Sequence, residues 1–279
     1  MIPLLCFTKN RPAQLDLLLR SVKKHAPIFF PTIIYKADAE YEEGYMKLMG
    51  KQYLPCSWKR ETNIHDDLVA FLEKTAYNGT GLFCLATDDS VFYRKLDATT
   101  RDIIGFMNEN TFDNFCVSLR MGQNNTIQDP KTKEPQVKIS TFLKERNWMM
   151  WNWMTYPPHS NPGYPMGQDG HIFRAKDWIE YIDFPFSNMR TIESEMVNRR
   201  WNYTKECMVS PLHSVLVNIA ANSVQEPFID NGLNNISTEE LNRRYMSGQI
   251  IDLEAIEKVD VNGCHMYINY QFKEDNEIN

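Results

Sequence analysis

The chain has 279 residues, 43% hydrophobic and 24% charged, enough for a sizeable buried core and unlike a disordered or low-complexity polymer. Its 30 Lys and Arg against 36 Asp and Glu leave a net charge of −6, so there is no basic footprint for nucleic acid, and an anionic ligand needs a metal or a few placed cations. No apolar run approaches the roughly 20 residues that cross a bilayer, strand-like sequence begins at Ile2, and six cysteines are scattered without metal or disulfide spacing, a pattern that predicts a soluble cytoplasmic protein without a membrane span.

Residues 2–8 read as an apolar strand, and residues 14–24 as an amphipathic helix with Leu15, Leu18, Leu19 and Val22 on one face. A second strand over 31–36 and a short helix over 42–49 precede a turn around Pro55. A helix over 64–75, with Leu68, Phe71 and Leu72 on one side, then delivers the chain to the run Leu82-Phe83-Cys84-Leu85-Ala86-Thr87-Asp88-Asp89. An apolar run of this length reads as a strand buried on both faces. Ionised carboxylates belong only where such a strand meets solvent or a cation, so Asp88 and Asp89 read as a candidate metal pair or as a solvated turn. The alternation of strand and helix predicts an α/β fold with a mainly parallel sheet and helices on both faces.

Ligands of such sheets bind beyond the carboxyl ends of the strands. Thr8-Lys9-Asn10-Arg11, Asp38 and Asp88-Asp89 all follow predicted strands, and Arg120 follows a further strand over 115–119, so these residues are expected in one crevice. The second half differs in texture. Trp148, Trp151 and Trp153 crowd into a short stretch before a Pro-rich segment, and read as a packed corner or as an aromatic wall for a sugar or base. Asp169 sits in the turn Gly167-Gln168-Asp169-Gly170, ahead of a strand and a helix over 175–182. Glu193 and Glu195 lie near the start of an amphipathic helix within 187–201, where exposed amides favour carboxylates. Ser237-Thr238-Glu239-Glu240 is a capping box for a helix stopping at Gly248; residues 252–258 read as helical, and the tail after Phe272 as frayed.

This order of features resembles the GT-A fold of nucleotide-sugar glycosyltransferases, especially family-2-like enzymes. The likeness is carried by Phe7-Thr8-Lys9-Asn10-Arg11-Pro12, the acidic strand end at Asp38, and the Asp-x-Asp-like segment Ala86-Thr87-Asp88-Asp89. It spans about residues 1–222, and implies one domain over 1–225, with a nucleotide-binding half (1–125) and an acceptor half (126–225), followed by a C-terminal extension over 226–279. Where many members have Asp-x-Asp-Asp, this chain has Ala86 at the first position, leaving two carboxylates.

The resemblance implies a UDP-sugar donor, a sugar or glycan acceptor, and Mn²⁺ or Mg²⁺. Asp89 would hold the metal, Asp88 the ribose or a metal-bound water, and His213 resembles a late metal ligand of some GT-A enzymes. Thr8, Lys9 and Arg11 would line the nucleotide pocket, Asp38 would meet the base, and Arg60 or Arg120 the diphosphate. An inverting enzyme needs a carboxylate base; Asp169 is favoured narrowly over Glu193, and a retaining enzyme needs neither. Compact bacterial or large-virus enzymes, some adding xylose or rhamnose to glycans, are the comparison the resemblance suggests for an enzyme in a bacterial or virus-infected host cytosol. Two other classes remain open: a metal-dependent phosphohydrolase or nucleotidyltransferase, and a non-catalytic carbohydrate-binding module built on the three tryptophans.

Overall fold

A computed structural model describes residues 1–77, 79–108, 113–141, 143–145, 147–219, 221–222 and 236–275. The first half runs β1 (Ile2–Lys9), α1 (Pro12–His25), β2 (Phe29–Lys36), α2 (Glu42–Lys51), β3 (Ser57–Arg60), α3 (Ile64–Tyr77), β4 (Leu82–Thr87), β5 (Ser90–Phe92), α4 (Thr100–Asn108) and β6 (Asn114–Ser118). The rest adds β7 (Ile127–Asp129), β8 (Glu134–Pro135), β9 (Leu143–Glu145), β10 (Trp148–Asn152), β11 (His171–Arg174), α5 (Ala175–Tyr181), α6 (Met189–Asn198), β12 (Cys207–Pro211), β13 (Leu216–Asn218), α7 (Thr238–Met246), β14 (Gln249–Ile251), α8 (Leu253–Glu257) and β15 (Phe272–Glu274).

Nine strands form one sheet in the order β3-β2-β1-β4-β11-β6-β12-β10-β9. The pairs β3/β2, β2/β1, β1/β4 and β6/β12 are parallel; only β11 and β10 run against the rest. The fold is therefore α/β with a mainly parallel sheet, as expected, and helices cover both faces. Alternation along β1 sends Leu4 and Cys6 to one core with Leu18 of α1, Leu48 of α2, Ile103 of α4, Tyr245 of α7 and Ile256 of α8. It sends Leu5 to the other, with Leu68 and Leu72 of α3, Trp178 of α5 and Ile192 of α6. Burying each such side chain contributes about 1.5–3 kcal/mol.

The structure adds two strands and corrects one expectation. Residues 57–60, assigned to no element from the sequence, form the edge strand β3; its polar Ser-Trp-Lys-Arg pattern carries no apolar signal. The tryptophan stretch contains a strand, β10, and its rings are core: Trp151 and Trp153 are fully buried and Trp148 is 8% exposed. Their indole N–H groups donate where they must, Trp151 to the Pro162 carbonyl and Trp153 to that of Lys205, both at 2.9 Å. Of the two readings of the tryptophans, a packed corner or an aromatic wall, their burial bears out the packed corner. The tail is not frayed as far as it is described, since β15 pairs with β14 and Asp275 is buried; residues 276–279 lie outside the described residues. Half of the capping box forms: Ser237 accepts from the Glu240 amide, while the Glu240 carboxylate turns to Arg243 and Arg244, and Gly248 lies just beyond α7 at φ +91°.

The C-terminal elements pack on α1 around a buried carboxylate. Asp16, with no exposed surface, accepts from Arg20 Nε (2.7 Å), Lys51 Nζ (2.8 Å) and the hydroxyls of Tyr53 (2.8 Å) and Tyr245 (3.2 Å). Lys51 also pairs with Asp275 at 2.7 Å. A buried charge is tolerated only when paired this fully.

Candidate functional site

The carboxyl ends of β1, β2 and β4 meet as their parallel register requires. Thr8, the penultimate residue of β1, donates its hydroxyl to Asp88 Oδ2 at 2.8 Å and is 2.9 Å from the Tyr45 hydroxyl. Asn10 turns the chain in the left-handed region, φ +57°, which Asn tolerates better than most residues. It locks to Asp38 in both directions, its amide donating to Oδ2 at 2.6 Å and its oxygen accepting the Asp38 N–H at 2.9 Å. Arg11 follows and lies between the two aspartates, Nη1 at 2.8 Å from Asp88 Oδ1 and 3.5 Å from Asp89 Oδ2, while Nη2 donates to the Asn222 carbonyl. Burial raises the Asp88 carboxyl; the Arg11 charge opposes this and the Asp89 charge adds to it, and the net shift is upward.

Asp89 is steadied by a residue absent from the sequence reading. Asn218, at the end of β13, donates to Asp89 Oδ1 at 2.7 Å and to Thr87 Oγ1 at 3.0 Å. β13 reaches it by pairing with β5, the strand that leaves Asp89.

The other two candidate carboxylates lie at the same sheet edge. β11 is antiparallel to β4, so the turn before it returns to the end where β4 finishes. Asp169 in that turn takes Arg120 Nη1 on both oxygens at 2.6 Å, with both side chains buried. Burial raises the Asp169 carboxyl, but the Arg120 charge and hydrogen bonds outweigh it and hold the group below the usual range. Glu193, in the second turn of α6, is shifted the other way. It is half-buried yet ringed by protein; burial and then the Asp169 charge push it up to about 7, against Arg120 and a hydrogen bond from Tyr164. The two candidate bases thus share one neighbourhood with opposite proton affinities.

Two glycines make room here. A Cβ on Gly167 would come within 2.9 Å of Arg120 Nη2, and Gly170 sits at φ +76° with Leu216 Cδ2 2.8 Å from where its Cβ would be. Gly170→Ala is expected to destabilise the chain by about 2 kcal/mol in urea unfolding, through backbone strain and overpacking together.

The remaining expected residues are placed differently. Lys9 lies on the other face of β1, where its charge acts on Glu61, not on Asp88. Arg60 is at the same sheet edge but pairs with Glu42 and donates to the Ala37 carbonyl at 3.3 Å. Arg120 pairs with Asp169, whereas Asp88 and Asp89 pair with Arg11. His213 is exposed in the β12–β13 turn and has no hydrogen bond or ion pair to Asp88 or Asp89. The histidine at the site is His265, in the C-terminal segment: Nδ1 is 3.3 Å from Asn218 Oδ1, and Nε2 is 3.3 Å from Arg120 Nη1 and 3.4 Å from Asp169 Oδ2. A lone His after Cys264, far along the chain, gives no pattern to detect. His171, fully buried with neither ring nitrogen partnered, is driven down to about 3 by burial and by Arg120, and so is neutral.

Among the described residues no three His, Cys, Asp or Glu side chains form a metal cage. Asp88 has both oxygens engaged by Thr8 and Arg11; Asp89 has one held by Asn218 and the other 3.5 Å from Arg11. The donor set therefore fits an oxygen-seeking ion that arrives with a diphosphate and keeps its waters, held through Asp89, and does not fit an ion bound by protein alone.

No helix among the described residues is long and apolar enough to cross a membrane. No family model matches the chain, and no curated protein matches it in sequence. Among solved structures, S. aureus TarS residues 1–349 in complex with UDP gives a TM-score of 0.46 at 13% identity, over 77% of this chain and 59% of that one. A longer S. aureus TarS structure gives 0.43 at 12% identity, over 77% and 37%. The bifunctional glycosyltransferase WbbM gives 0.37 at 11% identity, over 88% and 44%. The chain thus spans less than two thirds of each of these proteins. TM-scores under 0.5 carry no weight for activity, and the chemistry of the site rests on its own geometry.

Proposed function

We propose that this chain is a GT-A-type glycosyltransferase that moves a sugar from a UDP-sugar to a hydroxyl of a sugar or glycan with inversion. The observation that carries this reading is the meeting, at the carboxyl edge of one sheet, of the cation-paired Asp88-Asp89 and the carboxylates Asp169 and Glu193. A donor diphosphate near Asp89 and an acceptor hydroxyl near Glu193 would face each other across that edge.

In this reading Asp38 meets the base through Oδ1, the oxygen that Asn10 leaves unused, and Thr8 and Asp88 lie under the ribose. Arg11 balances the two aspartates. A divalent ion held through Asp89 would supply charge neutralisation for the departing diphosphate. Glu193 takes the proton of the acceptor hydroxyl as that oxygen bonds to the anomeric carbon, and the carbon–oxygen bond to the diphosphate breaks with its electron pair leaving on the UDP. Asp169, kept ionised by Arg120, orients the acceptor, and its charge outweighs that of Arg120 at Glu193 and keeps Glu193 basic. Six free, scattered cysteines suit a reducing cytoplasm.

The experiment is thermal unfolding with UDP and a panel of UDP-sugars, each with and without Mn²⁺, because a ligand that binds only the folded chain raises its stability by mass action. The expected result is a shift with UDP that grows with Mn²⁺ and with one UDP-sugar, and that Asp89→Ala removes. No shift with UDP or with any UDP-sugar would overturn the reading.

A further inference from the structure

The donor-side and acceptor-side groups are separate clusters in sequence, yet one histidine touches both. We propose that His265 is a positioning residue that ties Asp89 to the Asp169–Arg120 pair, one ring nitrogen serving each side. On the donor side the chain of contacts is fully oriented. Asp89 Oδ1 can only accept, so the Asn218 group 2.7 Å away is its NH₂, and the Asn218 oxygen is left facing His265 Nδ1 at 3.3 Å. That oxygen can only accept, so Nδ1 carries the hydrogen. In the neutral ring Nε2 is then a bare acceptor, 3.3 Å from the Arg120 Nη1 that also holds both oxygens of Asp169.

The backbone fixes this placement from both sides. The Asn218 N–H donates to the Cys264 carbonyl at 2.9 Å and the Met266 N–H to the Asn218 carbonyl at 2.9 Å, so His265 is laid along the end of β13. Cys264 Sγ lies 3.5 Å from the Arg120 carbonyl and 3.3 Å from the Asn125 amide. The ring is 39% exposed although its two partners across Nε2 are buried, so one face of the tie looks into the crevice. The C-terminal segment is thereby part of the centre, and loss of either arm should move one half of the site.

The functional half of this inference rests on the transferase reading; the geometric half does not, and the test separates them. Histidine-labelled protein at pH 8, where an ordinary imidazole is neutral, is read by ¹⁵N NMR with the His265 ring assigned by correlation to its backbone. The expected tautomer is Nδ1–H, opposite to the one free histidine prefers; Nε2–H would overturn the tie without any ligand being added. His265→Asn keeps an amide near the Nδ1 position and His265→Gln near that of Nε2. His265→Gln is expected to weaken UDP binding about tenfold, the loss of one hydrogen bond. His265→Asn is expected to leave UDP binding in place and slow UDP release from the UDP-sugar by a similar factor. Equal losses of binding and turnover in both variants, or no loss in either, would reduce His265 to a structural residue. Absence of UDP binding in the unaltered chain would instead sink the donor reading, with the tautomer still deciding the tie.

Discussion

Glu193→Gln is expected to lower turnover by about 10²–10⁴-fold, the usual worth of a positioned general base, while UDP still binds. The sequence places Asp169 slightly ahead of Glu193 because a glycine-flanked turn lets backbone approach substrate. The structure reverses that order on chemical grounds. Both Asp169 oxygens are taken by Arg120 at 2.6 Å and its carboxyl is held below the usual range, so it is a poor proton acceptor. Glu193 is pushed up to about 7 by burial and by the Asp169 charge, which suits proton abstraction near neutrality. A base must be deprotonated, so the rate should rise with pH through about 7. Asp169→Asn removes a negative charge beside Glu193 and should move that acid limb to lower pH. The check is the pH profile of UDP release from the preferred UDP-sugar, with both variants beside the unaltered chain. An acid limb near the ordinary carboxylate range, or a Glu193→Gln variant of full activity, would remove Glu193 from the role.

Arg11→Met is expected to destabilise the fold by about 3–5 kcal/mol, the toll of leaving a buried carboxylate without its cation. Asp88 is 4% exposed and Arg11 8%, so solvent does little to replace the lost charge. Urea unfolding measures the loss, and Asp88→Asn in the same chain should recover much of it by removing the orphaned charge. The sign with pH is fixed by Asp88. Its carboxyl is already raised in the folded state and would rise further without Arg11, so the folded form favours the proton. The variant's deficit should be largest in mild alkali and shrink as pH falls and Asp88 takes up a proton. A loss under about 1 kcal/mol would mean that the pair is wetter than its burial indicates.

The first half of the fold is legible because its signals are local. The stretch 82–86 is apolar throughout and is buried; Leu15, Leu18, Leu19 and Val22 recur at helical spacing and sit against the sheet. β3 and β10 escape for opposite reasons: Ser57–Arg60 is a polar edge strand, and the Trp148–Asn152 strand is hidden inside an aromatic cluster that reads equally as loop. At the site, residues next to strand ends are legible because topology places them, as with Thr8, Arg11, Asp38, Asp88 and Asp89. Asn218 and His265 are not, because what recruits them is pairing between β13, β5 and the C-terminal segment, contacts 47 to 145 residues apart in the chain. Choosing between Asp169 and Glu193 likewise needed the position of Arg120, which no spacing rule supplies.

The carboxylate of Asp16 bears on the order in which the chain is made. Its partners include Tyr245, and Lys51 is shared with Asp275, so the set closes only after the C-terminal elements have been made and have folded back. A nascent or truncated chain without them would hold α1 with that charge half-compensated and with the side that α7, β14 and α8 cover left open. Such a product should stay soft and open to proteases, so fragments lacking these elements would be cleared instead of accumulating.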